Sequence, residues 1–182
     1  MAKQYDHINS RIKKFIEAQK MFFVATASEN SRINLSPKGM DTFRVLDEKR
    51  VIWLNLTGSG NETAAHLEAD GRITMMMCAF EGAPMILRIY GQGSVIHPKH
   101  EKWNELIEMF PDLGGKRQII DVKVEMVMTS CGMSIPLYEF KDERRELDEW
   151  AKGKGEEGIK EYWKEKNEKS IDGLPTGIEE SY

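Results

Sequence analysis

Between residues 22 and 129 the chain is divided into short β-prone stretches joined by tight turn signals, with few helical interruptions. Residues 22–28 run into the turn Glu29-Asn30-Ser31 and return over 32–36, where Pro37-Lys38-Gly39 is expected to break the strand. Residues 43–46 and 51–55 flank Asp47-Glu48-Lys49 in a second hairpin pattern. Residues 72–80 and 85–97 flank Glu81-Gly82-Ala83-Pro84 in a third, and 117–129 alternates apolar and polar residues from Ile120 onward. Consecutive hairpins predict a mainly β, antiparallel barrel and exclude a doubly wound parallel sheet, which needs a helix between successive strands. Gly91 and Gly93 inside an apolar strand predict a bulge or bend, as a barrel needs where a strand turns a corner.

The helices expected around this barrel are peripheral. Ile8, Ile12, Phe15 and Ile16 fall at helical spacing and predict an amphipathic helix over 6–20. A short helix over 61–69 ends near Gly71. Pro98 is placed to start another, with Trp103, Leu106, Ile107 and Phe110 as its apolar face. The chain changes character after Phe140, giving a barrel domain over 1–140 and a charged, helical C-terminal extension over 141–182. Leu147, Trp150, Ile159, Tyr162 and Trp163 anchor the extension, Gly153, Gly155 and Gly158 interrupt it, and 172–182 reads as a loosely held tail.

The bulk charge narrows the partners. The net charge of the 182 residues is −4, with 17 basic and 17 acidic residues in 1–140 and the whole acidic excess in the extension. This balance gives no electrostatic case for nucleic acid or for an anionic membrane, and no basic stripe accompanies the four tryptophans. No apolar run approaches the roughly 20 residues of a membrane span, and the N-terminal residues lack the apolar core of a secretion signal. Cys78 and Cys131 have no metal-ligand or CxxC spacing and read as reduced thiols of a cytoplasmic protein; the four histidines form no metal-like cluster.

Residues 53–72 carry the chemistry. A buried strand runs into the glycine- and hydroxyl-rich loop Thr57-Gly58-Ser59-Gly60-Asn61-Glu62-Thr63, which opens a helix. Backbone N–H groups and the positive end of the helix dipole face whatever lies beyond it, and Thr57, Ser59, Asn61 and Thr63 add side-chain donors. The guest this suits is a phosphate; the alternative is a simple capped turn. No Lys follows the second Gly, so this is not a Walker loop, and it is not a GxGxxG dinucleotide loop. Glu62 in the first helical turn is a cap and would repel a phosphate. Lys38 in its Pro-Lys-Gly setting is a candidate cation for a phosphate or for a reduced flavin. Arg72 is a candidate for phosphate neutralisation, with an ion pair to Glu68 or Asp70 as the competing role. His66 is read as a packing residue.

Taken in order, Phe23-Val24-Ala25-Thr26-Ala27-Ser28, Ser36-Pro37-Lys38-Gly39, residues 57–66, Gly71-Arg72-Ile73-Thr74 and Ser130-Cys131-Gly132 resemble the pyridoxamine 5′-phosphate oxidase-like, FMN-binding split-barrel family over roughly 10–136. The resemblance implies a six-stranded split β-barrel and a homodimer with FMN in a cleft at the subunit interface. It places Thr26, Ala27, Ser28, Ser36, Pro37 and Lys38 along the flavin, and Thr57, Ser59, Asn61 and Thr63 at its phosphate. Arg117 and Gln118 would reach the flavin's pyrimidine edge or phosphate across the dimer. Two departures argue against pyridoxamine phosphate as the substrate. Asn61-Glu62-Thr63 stands where the oxidase carries a basic pair, and the oxidase's C-terminal Arg-x-x-Arg-type motif has no counterpart beyond Glu143-Arg144-Arg145. The function implied is an FMN-dependent oxidoreductase of unknown substrate. The alternatives are a non-catalytic flavin-binding or sensing module, or a split barrel holding haem or a deazaflavin.

Overall fold

The computed structural model describes residues 2–182. Its strands are β1 (Lys3–Tyr5), β2 (Phe22–Thr26), β3 (Asn34–Lys38), β4 (Phe43–Asp47), β5 (Arg50–Leu56), β6 (Arg72–Cys78), β7 (Ile86–Ile96) and β8 (Lys116–Ser130). The helices are α1 (Ser10–Ala18), α2 (Glu62–Ala69), α3 (Trp103–Ile107) and α4 (Glu146–Lys166), with a 3-10 turn at Ile178–Ser181. All strand pairs are antiparallel, in the order β3-β2-β6-β7-β8-β5-β4. The fold is the expected mainly β split barrel with peripheral helices.

The strand β8 is the spine. One edge pairs with β7 from Ile86↔Ser130 to Ile96↔Ile119. The other edge is shared: its first half carries β5, and its end carries β1, with Tyr5 opposite Val127. The strands therefore number eight among the described residues, against the six expected. The short β1 exists because the end of β8 leaves an edge open, a partner that local sequence does not reveal.

Alternation along the strands builds the interior. Val24, Trp53, Met75, Ile89, Val122 and Val127 point inward and meet Ile12 and Ile16 of α1. On the opposite face of β5, Ile52 and Leu54 pack with Ile96, Ile119, Leu106 and Phe110 beneath α3. Burial on both faces explains the continuous apolar run in β5.

Several boundaries differ from expectation for local physical reasons. The first helix starts at Ser10 rather than at residue 6, because the Asn9 side chain caps it by accepting from the Ile12 N–H at 3.0 Å. Pro37 does not break β3, which continues to Lys38; β3 is an edge strand, so a missing N–H is tolerated. The helix expected at Pro98 begins at Trp103, after a turn. The bulge falls where expected, between Tyr90 and Gly91. A Cβ at Gly91 would lie 2.2 Å from the Lys123 carbonyl oxygen.

The tail is the main correction. Residues 172–182 are not loosely held: Thr176 and Ile178 are fully buried, and Ile178 packs with Ala151, Ile159 and Trp163 of α4. Thr176 donates to the Asn167 carbonyl at 2.6 Å and so folds the tail back on the helix end. The helix bends at Gly155, whose φ of +68° suits glycine. Among the described residues, no helix is long and apolar enough to cross a membrane.

Candidate functional site

The loop at 57–61 leaves β5 and turns into α2 beside the edge strand β3. It is fixed from below. Thr57 donates through its backbone N–H and its hydroxyl to the Gly115 carbonyl, at 2.8 and 2.9 Å, and its hydroxyl accepts from the Trp163 indole at 2.8 Å. α2 is held against the barrel on several sides, with Ala64, Ala65, His66 and Leu67 buried. His66 meets Thr26 at 3.1 Å between Nδ1 and Oγ1, a packing role.

A cavity of about 530 Å³ opens above this loop. Ser36 and Lys38 come from β3, Ser59, Asn61 and Thr63 from the loop and α2, and Arg117 from β8. These six were singled out from sequence, and the fold brings them to one place. The other candidates lie elsewhere. Thr57 is the support just described. Gln118 is fully buried behind the cavity. Thr26 sits one layer back, accepting from the Asn34 side chain at 3.0 Å while the same amide reaches Thr63 at 3.1 Å. Ser28 closes the β2–β3 turn with Ser31, and Pro37 alternates away on β3. Thr26, Ala27 and Arg72 border a separate cavity of about 360 Å³ with Tyr90 and Gln92. Arg72 is thus not at the phosphate loop. Its guanidinium is exposed and forms a two-point ion pair with Asp70, at 2.6 and 2.7 Å.

The electrostatics of the larger cavity are one-sided. Arg117 is buried, and its hydrogen-bond acceptors are neutral: the Gly60 carbonyl at 3.0 Å and the Asn167 side-chain oxygen at 2.7 Å. Burial lowers its guanidinium to about 9, which leaves it charged at neutral pH. Burial also pulls the Lys38 ammonium from 10.5 to about 8, and the neighbouring Arg117 adds to the fall. One acid, Glu62, lines this cavity too, and its carboxylate accepts from the Ile171 N–H at 3.0 and 3.2 Å.

Buried donors at the site lack acceptors. Asn55 donates at 3.4 Å to both Asn61 and Gln118, which leaves Asn61 Nδ2 and Gln118 Nε2 unpartnered. Arg117 Nε is likewise unpartnered, as is the Ser36 hydroxyl. Two cations perturbed by burial, Lys38 and Arg117, and several orphaned N–H groups in and behind one cavity form a donor set matched to an anion.

A sequence profile described as pyridoxamine 5′-phosphate oxidase matches residues 8–131. The chain belongs to the pyridoxamine 5′-phosphate oxidase family. A family member from Aspergillus flavus, the pyridoxamine 5′-phosphate oxidase family protein ustO, is 32% identical over 94% of this chain and 76% of its own length. Two solved structures share the fold. HupZ from Group A Streptococcus superposes with a TM-score of 0.53 at 20% identity, over 65% of this chain and 91% of its own. A putative pyridoxamine 5′-phosphate oxidase from Lactobacillus delbrueckii superposes with a TM-score of 0.54 at 13% identity, over 68% and 94%.

The profile match ends at residue 131, short of the extension, yet the extension reaches the site. Lys166, Lys169, Ser170 and Ile171 line the same cavity as the loop. Asn34 and Asn55 also line it and were not singled out from sequence. Their signal was a polar residue in an otherwise apolar or alternating strand.

Proposed function

We propose that the chain is an FMN-binding flavoprotein oxidoreductase, with the FMN phosphate held in the cavity between β3, the loop at 57–61 and α2. The observation that carries this reading is the pair Lys38 and Arg117, two cations packed together in one cavity without an acidic partner. An arrangement of that kind is unfavourable by itself and is offset by a bound dianion. Asn61, Thr63 and Ser59 would add neutral donors, and the small loop residues Gly58 and Gly60 let the backbone approach. Family membership and the fold support the same ligand.

When bound, the flavin ring supplies the hydride or electron transfer. The chain's own part is to bind and orient. Arg117, held by Gly60 and Asn167, presents a fixed guanidinium to the phosphate. Lys38, at the end of β3, adds a second charge that grows in strength as water is excluded. Thr26 and Asn34 form a hydrogen-bonded layer that keeps Thr63 in place. Asn61-Glu62-Thr63 replaces a basic pair in the loop, so the substrate we propose is not pyridoxamine phosphate. We also propose a homodimer. Ile33 and Leu35 are 79% and 66% exposed beside an unpaired sheet edge, a surface suited to a second copy.

The test is the visible absorption spectrum of the purified protein, with mass measurement of any compound released by heat. Flavin bands and the mass of FMN are the expected result. A colourless protein that also fails to take up added FMN would overturn the proposal. Bleaching of the bound flavin by reduced nicotinamide then separates an oxidoreductase from a carrier.

A further inference from the structure

The segment over 163–172 crosses the mouth of the anion cavity and is tied down at each step. The Trp163 indole donates to Thr57, below the loop. Asn167, fully buried, uses both ends of its amide: Nδ2 donates to the Gly58 carbonyl at 3.1 Å, and Oδ1 accepts from Arg117. The Ile171 N–H is held by Glu62 on α2. Asp172 then accepts from the Arg32 backbone N–H at 2.8 Å and pairs with its guanidinium, which reaches the β2–β3 turn. Between these anchors Lys166, Lys169 and Ser170 face the cavity.

We propose that this strap is part of the anion site itself, with Lys166 and Lys169 supplying its outer cations and Asn167 serving as the positioning residue for Arg117. The inference rests on the phosphate-bearing ligand proposed above and names which residues beyond the profile-matched 8–131 hold it. Its logic is position: Lys38 and Arg117 already match the charge of a phosphate, and the strap places two further cations at the mouth of the same cavity. A phosphate monoester carries about −1.5 to −2 at neutral pH. The loop contributes no cation of its own, and Lys38 and Arg117 come from β3 and β8, within the sheet. The extension is acidic overall, yet it places two lysines at this opening. Lys166 rests against Glu165 at 2.7 Å with its side chain half exposed, so its ammonium is free to turn toward a stronger anion. Glu62, read from sequence as a cap, is the residue that fastens the strap, since its carboxylate accepts from the Ile171 N–H.

The experiment titrates the full chain with FMN and with riboflavin, which lacks the phosphate, following flavin fluorescence. It compares wild type with the Lys166→Ala/Lys169→Ala double variant. Both lysines are exposed, so the variant keeps the wild-type circular dichroism spectrum and melting temperature. The expected result is FMN binding weakened about 5- to 30-fold, with riboflavin binding unchanged and the salt dependence of FMN binding reduced. Lys166→Glu/Lys169→Glu weakens FMN further. Unchanged FMN affinity overturns the inference, and so does an equal loss for FMN and riboflavin, which would mark the strap as mere packing. A thermal-shift titration with inorganic phosphate separates the two proposals. If wild type binds neither flavin but phosphate stabilises it and not the double variant, the strap site stands and the flavin reading falls. If phosphate has no effect either, both fall.

Discussion

Replacing Lys38 with methionine should make the empty protein more stable and its FMN complex weaker. The fall of the ammonium from 10.5 to about 8 places about 3 kcal/mol on the charged form, at 1.36 kcal/mol per pH unit. Lys38 keeps some contact with solvent, and discounting for screening leaves about 1–3 kcal/mol. For a chain of this size that is a rise in melting temperature of about 2–10 °C in Lys38→Met. The gain has a pH signature. Below pH 8 the lysine is protonated in both the folded and unfolded chains, so the wild type bears the whole penalty. Between pH 8 and 10.5 the unfolded chain binds the extra proton, and wild-type stability climbs toward that of the variant. The advantage of the variant is therefore full below about pH 8 and gone by about pH 10.5. Binding moves the other way: losing one hydrogen bond between an ammonium and a phosphate weakens FMN by about 10- to 150-fold. Melting curves of both proteins without ligand from pH 7 to 10.5, with FMN titrations at pH 7, measure the two effects. A variant that melts lower than wild type at every pH, or that binds FMN as tightly, refutes the reasoning.

The same lysine gives the wild-type complex a pH profile. A bound anion raises its pKa above about 8, so FMN affinity should be level from pH 7 to 8 and then fall by up to about tenfold per pH unit; an affinity level through pH 9.5 by fluorescence titration would remove Lys38 from the site. In the barrel, Gly91→Ala sets a Cβ 2.2 Å from the Lys123 carbonyl oxygen and 3.1 Å from Val122 Cγ1. Backbone must separate there to relieve the contact, so urea unfolding should show a loss of about 3 kcal/mol; a loss within error of zero would contradict the close packing of β7 on β8.

What could be seen in the sequence was what local pattern encodes. The apolar, β-prone run before Glu29-Asn30-Ser31 gave β2, alternation from Ile120 gave β8, the hairpin pattern around Asp47-Glu48-Lys49 gave β5, and the Gly-Ser-Gly-Asn loop gave the turn into α2, because each is settled by residues adjacent in the chain. Lys38 and Arg117 were legible as charges beside strands but not as neighbours, since β3 and β8 approach only through the fold. The strap was hidden for a different reason. Lys166 and Lys169 lie in a run where charged residues are the rule, and there a lysine that lines a cavity looks like one facing water. Asn167 could not be distinguished from an ordinary helix end. Arg72 had two roles open from sequence, and the structure takes the ion pair with Asp70. It follows α2 in sequence, but Gly71, at φ +81°, turns the chain, and Asp70 two residues earlier takes its charge.

The route of the strap also sets an order of events during synthesis. Every strand of the barrel precedes residue 131, so the sheet can close while α4 is still being made. Arg117 enters that sheet with Gly60 as an acceptor and gains Asn167 only after the helix has emerged and folded back. A nascent barrel is therefore a vessel without its rim, with the buried guanidinium under-partnered and the mouth of the cavity uncovered. For the proposed anion site, completing the lining is a late step, because Lys166, Asn167 and Lys169 are made after every strand of the barrel.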